Sequence, residues 1–377
     1  MTAQPANTPA EPTFPIDFGS LRNMVEYRFT LLDAYADVNG LPTFAVANEP
    51  MKVKFQELLD DLANHDLMAK IRRVSDKLVI SIFPKPKLGR PRRQINLVLF
   101  MATMVSVGIA SYLSIFTLDP RLASFMFENL SATNQMVALA AGILSIIGLH
   151  ELGHVAAVRH HKMDATLPYF VPGPPPFGTF GAVISLRGPP ANRDQLFDLG
   201  FSGPVTGFAV MVLVATVAIL ISPTISSQTA TQLFADKLLQ TANWPNIPYF
   251  LDLLAQSGLR IIPSGQTLVW SQVVFAAEIG ALVTFLNLLP IWQLDGGHIV
   301  RATLGDKGHK ATAFVAFAVL LLAGYWAFAI LLLVFMFLSR RPLQGLEPLD
   351  DISPLSSSRK LLFVLALVML GLTFVIL

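Results

Sequence analysis

Apolar blocks of about 20 residues recur along the chain from residue 95 to residue 377, divided by short polar stretches. A block of that length, apolar all round rather than along one stripe, matches the hydrocarbon thickness of a bilayer. Spans read at about residues 95–118, 134–158, 199–222, 268–292 and 360–377. Residues 311–338 are too long for one comfortable span and short for two, with Gly324-Tyr325-Trp326 at their centre. Composition agrees. Only 14% of the residues are charged, where soluble domains carry about 25%. A soluble enzyme and a disordered scaffold are both excluded.

The distribution of basic residues decides how 311–338 is read. As a tight hairpin it leaves 16 Lys/Arg on one side of the membrane and three (Arg121, Lys237, Arg260) on the other. The 16 lie at 85–93, at Arg159, Lys162, Arg187 and Arg193, at Arg301, Lys307 and Lys310, and at Arg340, Arg341, Arg359 and Lys360. As a single span it weakens the asymmetry to 12 against seven. The hairpin reading predicts a polytopic α-helical membrane protein of about seven spans with a cytoplasmic N-terminus. A cell membrane is preferred to an organelle.

Ahead of the spans, residues 1–14 are rich in Pro, Ala and Thr and read as a disordered tail. Residues 15–84 read as a small cytoplasmic α+β domain. Its expected parts are a hairpin over 25–46 turning at Val38-Asn39-Gly40, a helix over 52–63 and a strand over 77–83. A basic juxtamembrane linker follows at 85–94, then a membrane-embedded core at 95–340, then a linker and C-terminal span at 341–377. With no cysteine in the chain, any metal site must use nitrogen and oxygen ligands.

Chemistry enters at His150-Glu151-Leu152-Gly153-His154, inside the second span. Positions i and i+4 share a helix face about 6 Å apart along the axis, so two imidazoles so placed can hold one Zn²⁺. Glu151 is then aimed near the open coordination position, as general base toward the metal-bound water. Polar residues within a span are costly and usually functional. Two histidines leave the site one protein ligand short. Asp295, at the end of the fourth span, is preferred over Glu278 and His298. Pro290 breaks the helix just before it, and Gly296 and Gly297 give the backbone freedom to turn. His160 and His161, beside Arg159, read as an interfacial basic cluster.

The HELGH motif together with Asn287-Leu-Leu-Pro290-Ile-Trp-Gln-Leu294-Asp295-Gly296-Gly297, on a separate span, resembles the site-2 protease family of intramembrane zinc metalloproteases. The resemblance covers about residues 95–340. It implies one zinc per chain on His150, His154 and Asp295, with Glu151 as general base and Asn287 holding the substrate backbone. Residues 177–185, after Pro172-Gly-Pro-Pro-Pro176, resemble the family's glycine-bearing hairpin that dips into the membrane. Gly178 and Gly181 are accordingly expected to help bind substrate, by pairing an unwound strand to the hairpin edge. Gly203-Pro204 resembles a family element that serves close helix packing. The implied activity is cleavage of peptide bonds in membrane-embedded substrates (regulated intramembrane proteolysis). Its partners are a transmembrane protein substrate and the lipid bilayer, with no nucleic acid. Two other readings stand beside it. One is another HEXXH-type membrane metalloprotease with Glu278 as third ligand. The other is a metal-ion transporter, against which the lack of any internal repeat counts.

Overall fold

The computed structural model describes residues 14–74, 76–86, 93–128, 130–184, 186–338 and 345–376. The tail expected at 1–14 lies outside these except for Phe14, and so does most of the basic linker at 85–94. Arg340, Arg341 and Ser185 are outside them too. The elements divide between two compact units.

The first unit is built on helix α1 (Phe18–Glu26), strands β1 (Leu31–Ala36) and β2 (Pro42–Val46), helix α2 (Lys52–Ala63), and strands β3 (Leu67–Val74) and β4 (Lys77–Pro84). The four strands form one antiparallel sheet in the order β1-β2-β4-β3. The helix expected at 52–63 falls on α2, whose Phe55, Leu58, Leu59 and Leu62 face the core. The expected hairpin is shorter than its sequence pattern. Val25 belongs to α1, capped by the Asp17 carboxylate accepting from Ser20 N–H, and the strands begin only at Leu31. The chain turns at Gly40, with φ 73°.

This unit is not continuous in sequence. It also takes in Arg187–Leu196 and Glu347–Ser356. The Leu349 carbonyl accepts from Ile71 N–H on the outer edge of β3, and Leu349 N–H donates to the Pro190 carbonyl. Leu349 itself is buried in the core with Ile71, Ile80 and Phe55. Lys52 pairs with Asp194 at 2.6 Å and Arg193 with Asp351 at 3.0 Å, fastening the late segments to the early ones.

The second unit carries the apolar helices. They are α3 (Arg93–Phe116), a short α4 (Pro120–Met126), α5 (Ala132–His160), a hairpin of β5 (Tyr169–Pro172) and β6 (Thr179–Val183), and α6 (Arg193–Ile221), of which the unit takes the part from Phe197. Then come β7 (Thr224–Ser226), α7 (Ser227–Ala235), α8 (Tyr249–Gln256) and β8 (Gln266–Leu268). The chain ends with α9 (Val274–Leu288), α10 (Asp295–Leu322), α11 (Trp326–Leu338) and α12 (Ser357–Thr373). Helices α3, α5 and α6 are long and apolar enough to cross a membrane, while α9 and α11 are apolar but shorter.

Two expectations need correction here. The span read at 268–292 is helical only over Val274–Leu288. Fifteen residues make about 22 Å of helix, less than a full crossing. Asp295 does not end that span; it is the first residue of α10. The reversal between the two helices uses Pro290 and a left-handed Trp292, with φ 47°. Gly296 and Gly297 are helical, and what they provide is space. A Cβ at Gly296 would lie 1.9 Å from the Leu288 carbonyl oxygen, and one at Gly297 2.4 Å from that of Trp292. Between α10 and α11 the chain breaks at Gly324, whose φ is 91°.

Candidate metal centre

His150 and His154 stand one turn apart on α5, and both are buried, as is Glu151 between them. The opening of α10 brings Asp295 against them. His150 Nε2 lies 3.2 Å from Asp295 Oδ2, and His154 Nε2 3.4 Å from Asp295 Oδ1. The two Nε2 atoms are 3.2 Å apart. A tetrahedral zinc site with bonds of about 2.0–2.1 Å places neighbouring donor atoms about 3.3 Å apart. The three contacts are therefore close to the spacing of ligand atoms around one zinc ion, with a different Asp295 oxygen facing each histidine.

The protonation pattern fits as well. His154 Nδ1–H donates to the Leu199 carbonyl at 2.8 Å. A carbonyl can only accept, so a proton sits on Nδ1, which leaves Nε2 as the nitrogen that can bind a metal. Among the described residues His150, His154 and Asp295 form the one group of this kind. Glu278 and His298, the competing third ligands, do not join it. Glu278 and His298 are both half-buried, and His298 Nδ1 lacks a partner among the described residues.

Sequence reasoning expected close helix packing at Gly203-Pro204, but not that the packed neighbours are the histidines or that Gly200 and Gly207 share the wall. Helix α6 approaches so closely that a Cβ at Gly203 would stand 2.1 Å from His154 Nε2. One at Gly207 would be 3.0 Å from His150 Nδ1, and one at Gly200 2.5 Å from the Asp295 carbonyl oxygen. Spacings of three and four put these glycines on one helix face, a small-residue pattern that lets membrane helices close on each other. That spacing was the available signal. From the other helix, a Cβ at Gly153 would meet the Ser202 carbonyl at 2.4 Å. The same region ties down the end of α5, where His161 Nε2 lies 2.8 Å from Asp198 Oδ2 and Arg359 Nε donates to Asp198 Oδ1 at 2.7 Å.

The remaining site residues expected from sequence are less closely drawn in. Asn287 is half-buried in the last turn of α9, and its amide makes no hydrogen bond among the described residues. The hairpin does reach the helix that carries the centre, since β6 packs against α5. Its two glycines differ in what they do. Gly181 has φ 90° with open space around it, whereas Gly178 is pressed on α3, where a Cβ would lie 2.6 Å from Val107 Cα.

Comparison with known proteins places this arrangement. The model of Peptidase family M50 matches residues 138–332, which contain all three clustered side chains and Glu151. The chain is 28% identical over 229 residues to "Probable zinc metalloprotease EGY1, chloroplastic" of Oryza sativa subsp. japonica, covering 56% of this chain and 38% of that protein. It is 27% identical over 302 residues to the Arabidopsis thaliana protein of the same name, covering 74% and 52%. Against "Probable zinc metalloprotease EGY2, chloroplastic" of Arabidopsis thaliana it is 26% identical over 250 residues, covering 64% and 43%. The chain thus spans about half, or less, of the length of these relatives. No solved structure matches it.

Proposed function

Because the chain belongs to peptidase family M50, the site-2 proteases, we propose that it is a zinc metalloendopeptidase cleaving a transmembrane protein substrate within the bilayer. The observation that carries this reading is the cluster of His150, His154 and Asp295, each offering a ligand atom within 4.8 Å of the others, with Glu151 on the turn between the two histidines. His150, His154 and Asp295 would hold one zinc ion per chain. When bound, zinc acidifies water and polarises a carbonyl, the two needs of peptide hydrolysis.

The rest falls to the chain itself. Glu151, buried beside the cluster, takes a proton from the attacking water and passes one to the leaving amine nitrogen. A peptide bond inside a membrane helix is shielded by its own hydrogen bonds, and lipid offers no replacement partners. The substrate must therefore unwind. Among the described residues the sheet of β5 and β6 has two strands, so β6 has an edge that none of them pairs with and that can receive an extended segment. Asn287, an amide that both donates and accepts, serves the backbone groups left over. For the whole chain the same reading has about seven spans, with the N-terminus on the side that carries 16 basic residues against three.

The test is hydrolysis of single-span substrates by purified protein, with fragments mapped by mass spectrometry. Glu151→Gln is expected to lower turnover at least about 100-fold, the lower end of what a general base contributes, while zinc content stays at the wild-type level. Undiminished cleavage by that variant overturns the proposal, and so does cleavage that survives a chelator.

A further inference from the structure

Helix α3 contributes nothing to the metal-binding cluster, yet it grips the β5–β6 hairpin at both ends. Near its start, Asn96 is buried and its Nδ2 donates to the Leu167 and Pro168 carbonyls, each at 2.9 Å, where the chain enters the hairpin. One turn on, the Phe100 ring meets Phe170 of β5 edge to face, with centroids 5.2 Å apart. At the hairpin tip, Ser106 Oγ donates to the Gly178 carbonyl at 2.6 Å, and the backbone at Val107 closes over Gly178. From Asn96 to Ser106 is about 15 Å of helix.

The Ser106 bond is not needed to satisfy either partner. The Gly178 carbonyl already accepts from Gly173 N–H at 3.0 Å, and Ser106 Oγ also has the Thr103 carbonyl of its own helix at 3.1 Å. What the bond adds is location. The same hairpin also packs through β6 against α5, the helix that carries Glu151. The hairpin therefore bridges α3 and α5, and the grip of α3 sets how far the open edge of β6 stands from the general base.

We infer that Asn96 and Ser106 are positioning residues that fix the register of the substrate strand, and with it the peptide bond that is cleaved. The inference rests on the proteolytic reading above and deepens it. A strand that slips by one residue turns every side chain to the opposite face, whereas a slip of two preserves the faces. Loosening the grip should therefore release a second cleavage site two residues from the first.

The experiment measures KM, kcat, fragment masses and zinc content for Ser106→Ala, Asn96→Ala and Ser106→Thr with one single-span substrate. Expected for both alanine variants are unchanged zinc, a KM raised about 5- to 20-fold, as for one lost hydrogen bond, and a new product displaced by two residues. Ser106→Thr keeps the hydroxyl and should restore the single wild-type site. A single unshifted site in both alanine variants with KM within about twofold of wild type overturns the inference, and so does zinc loss in either. If the wild type itself cleaves nothing, the proteolytic reading falls and this inference with it.

Discussion

A methyl group added at Gly203 would stand 2.1 Å from His154 Nε2, far inside the contact distance of carbon and nitrogen. The obstacle is a backbone on one side and a buried ring on the other, and that ring is also held by the Leu199 carbonyl at 2.8 Å. Gly203→Ala should therefore remove zinc as completely as Asp295→Ala, although glycine ligates nothing. Gly207→Ala, with 3.0 Å to His150 Nδ1, should lose only part. Metal analysis of the purified variants checks the order, with Glu278→Gln expected to keep its full complement. Full zinc occupancy in Asp295→Ala would remove that residue from the ligand set. At this scale the sequence is informative about chemistry and poor about space. Two histidines one turn apart and an aspartate after a helix break can be read from spacing. Close packing at Gly203 could be expected, but Gly200 and Gly207 look like any small residues in a span until α6 is seen to press against the histidines.

Among the elements, the start of α10 decides where Asp295 points. Leu288 ends α9, Pro290 ends its hydrogen bonding, and Gly296 lets the new helix start directly against the old one. Gly296→Ala would set a Cβ 1.9 Å from the Leu288 carbonyl oxygen, so the two helices must part. That variant should lose zinc and melt at a lower temperature. Gly148→Ala, on α5 with nothing within 4 Å of its new Cβ, should keep its zinc and melt no lower. Thermal melts with and without added zinc separate the two cases. The break at Pro290 was legible because proline acts locally. The use of Gly296 was not, because it depends on a carbonyl eight residues away. Strand β3 escaped notice for a related reason: Lys70, Arg72 and Arg73 dilute its alternation, and only pairing with β4 makes a strand of it. Helix α1 likewise lay hidden in a stretch whose apolar residues suit either period.

For the whole molecule, the proposed arrangement in the membrane makes a direct prediction. The chain has no cysteine, so single cysteines report cleanly. Gln94→Cys and Ser357→Cys should react with an impermeant thiol reagent from the same side of sealed vesicles. Opposite accessibility would mean that 311–338 crosses once. Basic-residue asymmetry can be counted from sequence because it depends on composition alone. The membership of the first unit cannot. Leu349 is a lone apolar residue in the run Glu347-Pro348-Leu349-Asp350, and nothing nearby announces that it fills a core begun at Leu21, some 330 residues earlier.

That late arrival orders events during synthesis. Strand β4 leaves the ribosome long before Leu349 exists, and at roughly 5–20 residues per second the interval is about 13–53 s. Throughout it, the helices of the second unit are being made while the outer edge of β3 is still without the Leu349 carbonyl that accepts from Ile71. An open strand edge is a template for pairing with other chains. A polypeptide stalled or cut before residue 347 lacks the segment that covers that edge, whereas one extended past Ser356 can close it with its own chain. Closure of the first unit's sheet thus reports that synthesis has passed this late segment, read out at a sheet begun near residue 31.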